Sequence, residues 1–285
     1  MKQPMAERLS HAFTVDVEDW YHGIPVEGAL RAGAERRLRH GMGVLLELLA
    51  RHGARGTFFF LGPIALEHPE VVREVAAAGH ELGCHGWSHD FLYAMTPGRM
   101  RDETRRAKDA IEALTGTPVD AYRAAYFSIT RASFWALEEL AALGFRYDSS
   151  IFPVRNWRYG IPDFDPRPQR IETPAGTVCE LPISVRRILG RNLPVSGGAY
   201  FRIYPYALTR ANVAAAERAG RPVVFYLHPW ELDPGHPRVP FHWRARLTHY
   251  LNLAATRPRL ERLLAEFRFG PLSEVLDAAL QRPRP

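Results

Sequence analysis

Two cysteines, Cys84 and Cys179, are all that this 285-residue chain contains. They lie far apart and form no CxxC pair, which excludes a disulfide framework and fits a reducing compartment. No run of about 18 apolar residues occurs, so a hydrophobic membrane-spanning helix is excluded. The opening MKQPMAERLSHAFTVDV lacks the charged-then-apolar layout of a secretory leader, and a cytoplasmic location is the expectation. Lys and Arg number 37 against 31 Asp and Glu, a net charge of +6. The excess is dispersed along stretches such as RDETRRAKDAIEAL, and without a basic run nucleic acid is not an expected partner. Internal repeats, low-complexity tracts, a GxSxG elbow, a glycine-rich phosphate loop and a dinucleotide fingerprint are also missing. What is present is apolar: 46% of the residues, ample for a well-buried core.

The first half alternates short apolar runs with helical patterns. AFTVDV (12–17), GTFFFLG (56–62), HELGCHG (80–86), VDAYRAA (119–125) and FRYDSS (145–150) read as strands, each separated from the next by a helical stretch. Gly53, Gly79, Gly116 and Gly144 close those helices at positions that favour a left-handed residue. Strands too apolar to have a wet face argue for a parallel sheet covered by helices. Asp16, His85, Arg123, Asp148 and His228 fall at the C-terminal ends of different expected strands. In a closed barrel those ends converge on one mouth, whereas an open sheet would string them along an edge. The expected fold is therefore α/β, a single distorted and incomplete (β/α)7-type barrel over residues 1–285. An irregular insertion near 151–204 flanks the mouth, with a hairpin turning at Ala175-Gly176. A helical extension over about 242–285 ends the chain, carrying one basic amphipathic helix, WRARLTHYLNLAATRPRLERLLAEF.

The run TVDVEDW crowds Asp16, Glu18 and Asp19 at the end of an apolar strand, which requires water, counter-charges or a metal. HGWSH supplies His85 and His89, the one pair spaced four apart among twelve histidines. A helical turn there would let both imidazoles meet one ion. Two neutral nitrogens and a carboxylate form a hydrolase-type metal set.

With these residues in place the sequence resembles the polysaccharide deacetylase superfamily, the NodB-homology or carbohydrate esterase family 4 enzymes. TVDVED stands where they carry TFDD, HGWSH for HSxxH, YRAAY for RxPY and FYLHPWE for LxH, in the family's order over roughly residues 12–235. VDVEDW and GGAYFR look most like the branch found with exopolysaccharide gene clusters, related to allantoinase-like and peptidoglycan deacetylases. The resemblance implies Asp16 as general base and Arg123 as the cation that holds it. It implies a divalent ion, zinc foremost, on His85, His89 and a carboxylate. The family's preference for Asp favours Asp19, while an Asp-x-Asp arrangement would select Glu18. The backbone amide of Tyr126 is the implied oxyanion donor, with Ala125 where the family has proline. His228 is expected to protonate the leaving amine with Asp148 orienting it, and Tyr200, Phe201 and Trp230 to wall the substrate groove. The implied substrate is an N-acetylated glycan of an exopolysaccharide, or its lipid-linked or nucleotide-linked precursor. The alternatives are an allantoinase-like amide hydrolase and a catalytically silent carbohydrate-binding barrel.

Overall fold

Both faces of the first apolar run, β1 (Ser10–Val17), are buried. Phe13, Val15 and Val17 enter one apolar cluster, and Ala12 enters another on the opposite face. A strand covered on both sides belongs inside a helix-wrapped parallel sheet. The computed structural model describes residues 9–24, 33–156, 158–240 and 242–282. After β1 come α1 (Leu38–Arg51), β2 (Thr57–Phe60), α2 (Gly62–Glu67), α3 (Pro69–Ala77), β3 (Glu81–Cys84), α4 (Pro97–Thr115), β4 (Ala121–Tyr122), α5 (Ala136–Ala142) and β5 (Tyr147–Asp148). Two hairpins follow, β6 (Gln169–Thr173) with β7 (Gly176–Glu180), and β8 (Val185–Ile188) with β9 (Arg191–Pro194). The chain ends with α6 (Gly198–Ile203), α7 (Tyr206–Arg218), β10 (Val224–Leu227), α8 (Trp243–Tyr250), α9 (Leu253–Glu266), β11 (Arg268–Gly270) and α10 (Leu272–Gln281).

The main sheet runs β10-β1-β2-β3-β4-β5-β7-β6, with β11 also on β1. From β10 through β7 every neighbouring pair is parallel. β6 is antiparallel to β7, and among the described residues no pairing joins β6 back to β10. The result is a curled, open sheet, the incomplete barrel expected. Alternation along the strands makes two cores. Phe58, Phe60, Leu82, Phe225 and Leu227 pack outward with helix residues such as Leu45, Val72, Ile111 and Leu140. Phe59, Ala121, Tyr147, Leu181, Val224 and Tyr226 fill the interior. Gly83 is required there: a Cβ would lie 2.4 Å from the Phe59 ring. Gly83→Ala is expected to cost about 1–3 kcal/mol through overpacking, read as a lower urea midpoint.

The second half departs from expectation in three places. The insertion is partly sheet, because β7 joins β5 in parallel. Its hairpin turns at Pro174-Ala175, one residue early, since Gly176 already pairs with Thr173. The expected single terminal helix is α8 and α9, broken at Leu251-Asn252, where Asn252 has φ +53°. Nor is that region an appendage: β11 pairs in parallel with Ser10–Ala12, and α10 buries Leu272 and Leu276 in the interior cluster. Residues 1–8 and 283–285 of the expected domain lie outside the described residues. Among the described residues no helix is long and apolar enough to cross a membrane.

Candidate active site

The same alternation positions the polar groups. On β1 the interior face carries Ala12, Thr14 and Asp16, and Arg123, two residues beyond the interior Ala121, reaches both Thr14 Oγ1 at 2.8 Å and Asp16 Oδ1 at 2.9 Å. On β10 Val224 and Tyr226 point inward, and the next residue of that parity is His228, whose Nε2 lies 3.9 Å from Asp16 Oδ2. His85 follows Gly83 on β3 in the same way. All four side chains meet at the C-terminal mouth of the sheet.

His85 Nδ1 sits 2.7 Å from the Arg123 carbonyl oxygen, which can only accept, so Nδ1 carries the proton and Nε2 presents its lone pair. That Nε2 lies 3.1 Å from Glu18 Oε1, and His89 Nε2 lies 2.9 Å from the same oxygen. The three ligand atoms fall within 4.8 Å of one another, all on buried residues. Burial pushes the Glu18 carboxyl up, but His89, His85 and His228 together hold it well below the usual carboxylate range. A buried anion faced by two imidazole nitrogens fits a divalent cation by donor chemistry. The segment is not a helical turn, as the four-residue spacing suggested. It is an irregular bend in which Gly86 has φ +84° and His89, without glycine's freedom, φ +59°. Backbone held in that region is a recurring feature of ligand sites.

Asp19 is not part of this cluster. Its Oδ1 accepts the Trp20 amide at 2.8 Å, and its Oδ2 accepts the Arg37 and Leu38 amides at 2.9 and 3.2 Å. It thereby caps α1, which has no cap from its own preceding side chain. Separate substitutions distinguish the two acids: Glu18→Gln is expected to abolish metal retention, measured by elemental analysis after gel filtration. Asp19→Ala should keep the metal and lose about 1–2 kcal/mol of stability.

Arg123 is fully buried and spends its remaining donors on the Ser149 carbonyl at 2.9 Å and Ser149 Oγ at 3.0 Å. Ser149 and Tyr147 face the interior, so the intervening Asp148 faces the other way. There it accepts from Ser150 Oγ at 2.5 Å and lies beside Glu180; burial raises both carboxyls and their mutual repulsion raises Glu180 well above its usual range. The carboxylate on His228 is instead Glu231, with Oε1 at 2.9 Å from Nδ1 and 3.1 Å from the backbone nitrogen. Pro229–Leu232 form a single tight turn that brings the two together. Glu231 is fully buried and its Oε2 accepts from Arg202 Nε at 2.6 Å. Arg202 is pinned in turn to the carbonyls of Thr248, His249 and Leu251. Desolvation opposes charge on His228, but Glu231, Glu18 and Asp16 outweigh it and raise its pKa to about 9. Arg202 and His228 overcome the burial penalty on Glu231 and hold it at about 2. HPWE places an acid three residues after His228, a spacing that identifies Glu231 once a tight turn is granted; GGAYFR gives no such sign for Arg202.

A cavity of about 330 Å³ opens over these groups, lined also by Tyr126, Tyr200 and Trp230. Trp230 stacks on His228 at 5.3 Å and on His249 at 4.2 Å between ring centroids. Tyr126 and Phe127 hold φ of +55° and +53°, and the Tyr126 ring packs 4.5 Å from that of His89. Phe201 does not line the cavity. It is fully buried against Phe225 in the outer core, because on α6 it faces the sheet while Tyr200 faces the mouth.

An open β/α barrel with a buried Glu-His-His cluster and an Asp-Arg pair at its mouth defines a class of barrel proteins with a candidate divalent-metal centre. Within that class, residues 40–147 match the family described as polysaccharide deacetylase, and residues 149–277 match a domain of unknown function, DUF3473. Similar curated proteins include a peptidoglycan deacetylase of Helicobacter pylori, 31% identical over 39% of this chain and 37% of that protein. A chitooligosaccharide deacetylase of Rhizobium leguminosarum is 38% identical over 25% of this chain and 34% of its own length. The chain spans about two-fifths or less of the length of the curated relatives it matches. A Mycobacterium smegmatis structure, provisionally named a polysaccharide deacetylase, superposes with a TM-score of 0.67 at 22% identity, covering 100% of this chain and 97% of that one. Residues 40–147 are thus similar in sequence to polysaccharide deacetylases, and the Mycobacterium smegmatis structure shares the fold of the chain.

Proposed function

We propose that this protein is a metal-dependent N-deacetylase of N-acetylated amino sugars in a bacterial exopolysaccharide or its precursor. The observation that carries the reading is the buried Glu18-His85-His89 cluster, facing the same cavity as Asp16 and His228. A divalent ion held there, zinc by its two nitrogens and one oxygen, supplies the Lewis acidity that polarises an acyl carbonyl and acidifies water. Asp16, fixed by Arg123, takes a proton from water as the water oxygen bonds to the acyl carbon. The Tyr126 amide stands by the developing oxyanion. As the carbon–nitrogen bond breaks, His228 donates its Nε2 proton to the leaving nitrogen, and acetate and a free amine result. Tyr200 and Trp230 offer faces for a sugar ring. The free thiols of Cys84 and Cys179 support a cytoplasmic location.

Metal analysis combined with acetate release across a panel of N-acetylated glycans tests the reading. Activity on amino-sugar substrates that disappears with a chelator and returns with zinc is the expected result. Metal-loaded protein that releases acetate from none of them, yet opens a small cyclic or linear amide, would replace it with an allantoinase-like activity.

A further inference from the structure

Outside the main sheet, the β8–β9 hairpin exposes apolar side chains to solvent. Its two-residue turn is Leu189-Gly190, both left-handed at φ +49° and +78°, the geometry of the tight turns that join twisted strands. Asn or Gly suits that position; Leu189 is instead 98% exposed. Cross-strand pairing sets Ile188 opposite Arg191 and Leu193 opposite Arg186, so all four share one face. Ile188 and Leu193 are 41% and 42% exposed. Apolar side chains thus occupy the tip and one diagonal of a face whose other diagonal is arginine.

The base of the hairpin adds a second observation. A cavity of about 630 Å³ lies there, lined by Arg186, Arg187 and Arg221. Its two acids are already engaged, Asp163 by Arg131 and Asp165 by Arg167. Among the described residues no carboxylate lies within ion-pair distance of Arg186, Arg187, Arg191 or Arg221; Arg186 donates to the neutral Asn212 Oδ1 at 2.9 Å. Positive charge and exposed apolar surface therefore meet at one hairpin and its base.

We propose that the β8–β9 hairpin docks the protein on an anionic phospholipid bilayer. Leu189 and Ile188 would enter the headgroup–acyl boundary, while the arginine stems lie along it with their guanidinium groups at the phosphates. Each cation near the surface adds to the attraction, and salt weakens it. A soluble acidic glycan would satisfy the arginines and leave Ile188, Leu189 and Leu193 in water, so the combination favours a membrane surface. Two or three apolar residues with Arg186 and Arg191 on their face, and Arg187 and Arg221 beside it, give reversible binding.

Vesicle flotation of the full chain tests this, with phosphatidylcholine vesicles containing or lacking 30% phosphatidylglycerol. At low salt the protein should float with the anionic vesicles, at least about fivefold more than with neutral ones, and 0.3 M salt should reverse most of it. Leu189→Asp and the double variant Arg186→Glu/Arg191→Glu should each lose at least about fivefold of the bound fraction. Leu208→Asp on α7, another exposed leucine, should not. Circular dichroism melts confirm that each variant is folded. Flotation unaffected by Leu189→Asp, or equal on neutral vesicles, overturns the proposal. So does binding abolished by millimolar inorganic phosphate, which would mark a phosphate site. A Leu189-dependent dimer in light scattering without flotation would assign the face to a second copy of the chain.

Discussion

Asp16→Asn is expected to lower turnover by about 10² to 10⁴ while leaving the metal in place. Asparagine keeps the shape of the side chain and can still meet Arg123, but it cannot accept a proton from water. Arg123 holds Asp16 Oδ1 at 2.9 Å, and Oδ2 is the oxygen turned toward His228. Oδ2 is therefore the basic atom, and its loss should fall on kcat with little change in KM. Metal content measured on the same preparation separates two roles. Loss of metal would move Asp16 into the ligand set; full activity would remove it from the chemistry.

The distinction between Asp16, Glu18 and Asp19 shows how far the sequence reaches. Period-2 alternation puts Asp16 on the interior face and, continued beyond the end of β1, Glu18 as well; Asp19 falls out of phase. That parity signal was available, but the family's preference for Asp pulled the other way. Asp148 failed for a similar reason. Its β ladder is two residues long, too short for its inward face to be read without knowing that Arg123 takes Ser149. Alternating strands and helices, the convergence of their C-terminal ends and the incomplete barrel were legible because each rests on periodicity and closing glycines. The route of the C-terminal segment was not. β11 is three residues long, and its pairing with β1 depends on contacts more than two hundred positions apart, which no local pattern encodes.

Glu231→Gln should produce the second large effect, and it reads on the acid half of the reaction. His228 has its pKa raised to about 9, so it is the protonated donor below that pH and loses the role above it. Burial pulls its pKa down, but the hydrogen bond to Glu231 leads the causes that raise it, followed by the charges of Glu18, Glu231 and Asp16. A cation bound at Glu18 cancels that residue's share, so metal loading should itself move the titration acidward. Removing the Glu231 charge should carry it further, by about 1–3 units. The alkaline limb of kcat then moves down, and amide turnover at pH 8 should fall, by up to about tenfold for each unit of that displacement. An ester with a good leaving group needs no proton on departure and should lose far less, as it should in His228→Ala. The sign for stability of the metal-free protein follows. A raised histidine pKa stabilises the fold fully below about 6.5, and that contribution disappears as pH rises through about 9. In Glu231→Gln this part of the stability–pH profile should flatten. His228 titrating unchanged by NMR in the variant, with amide and ester losses equal, would leave Glu231 a packing partner of Arg202 and nothing more.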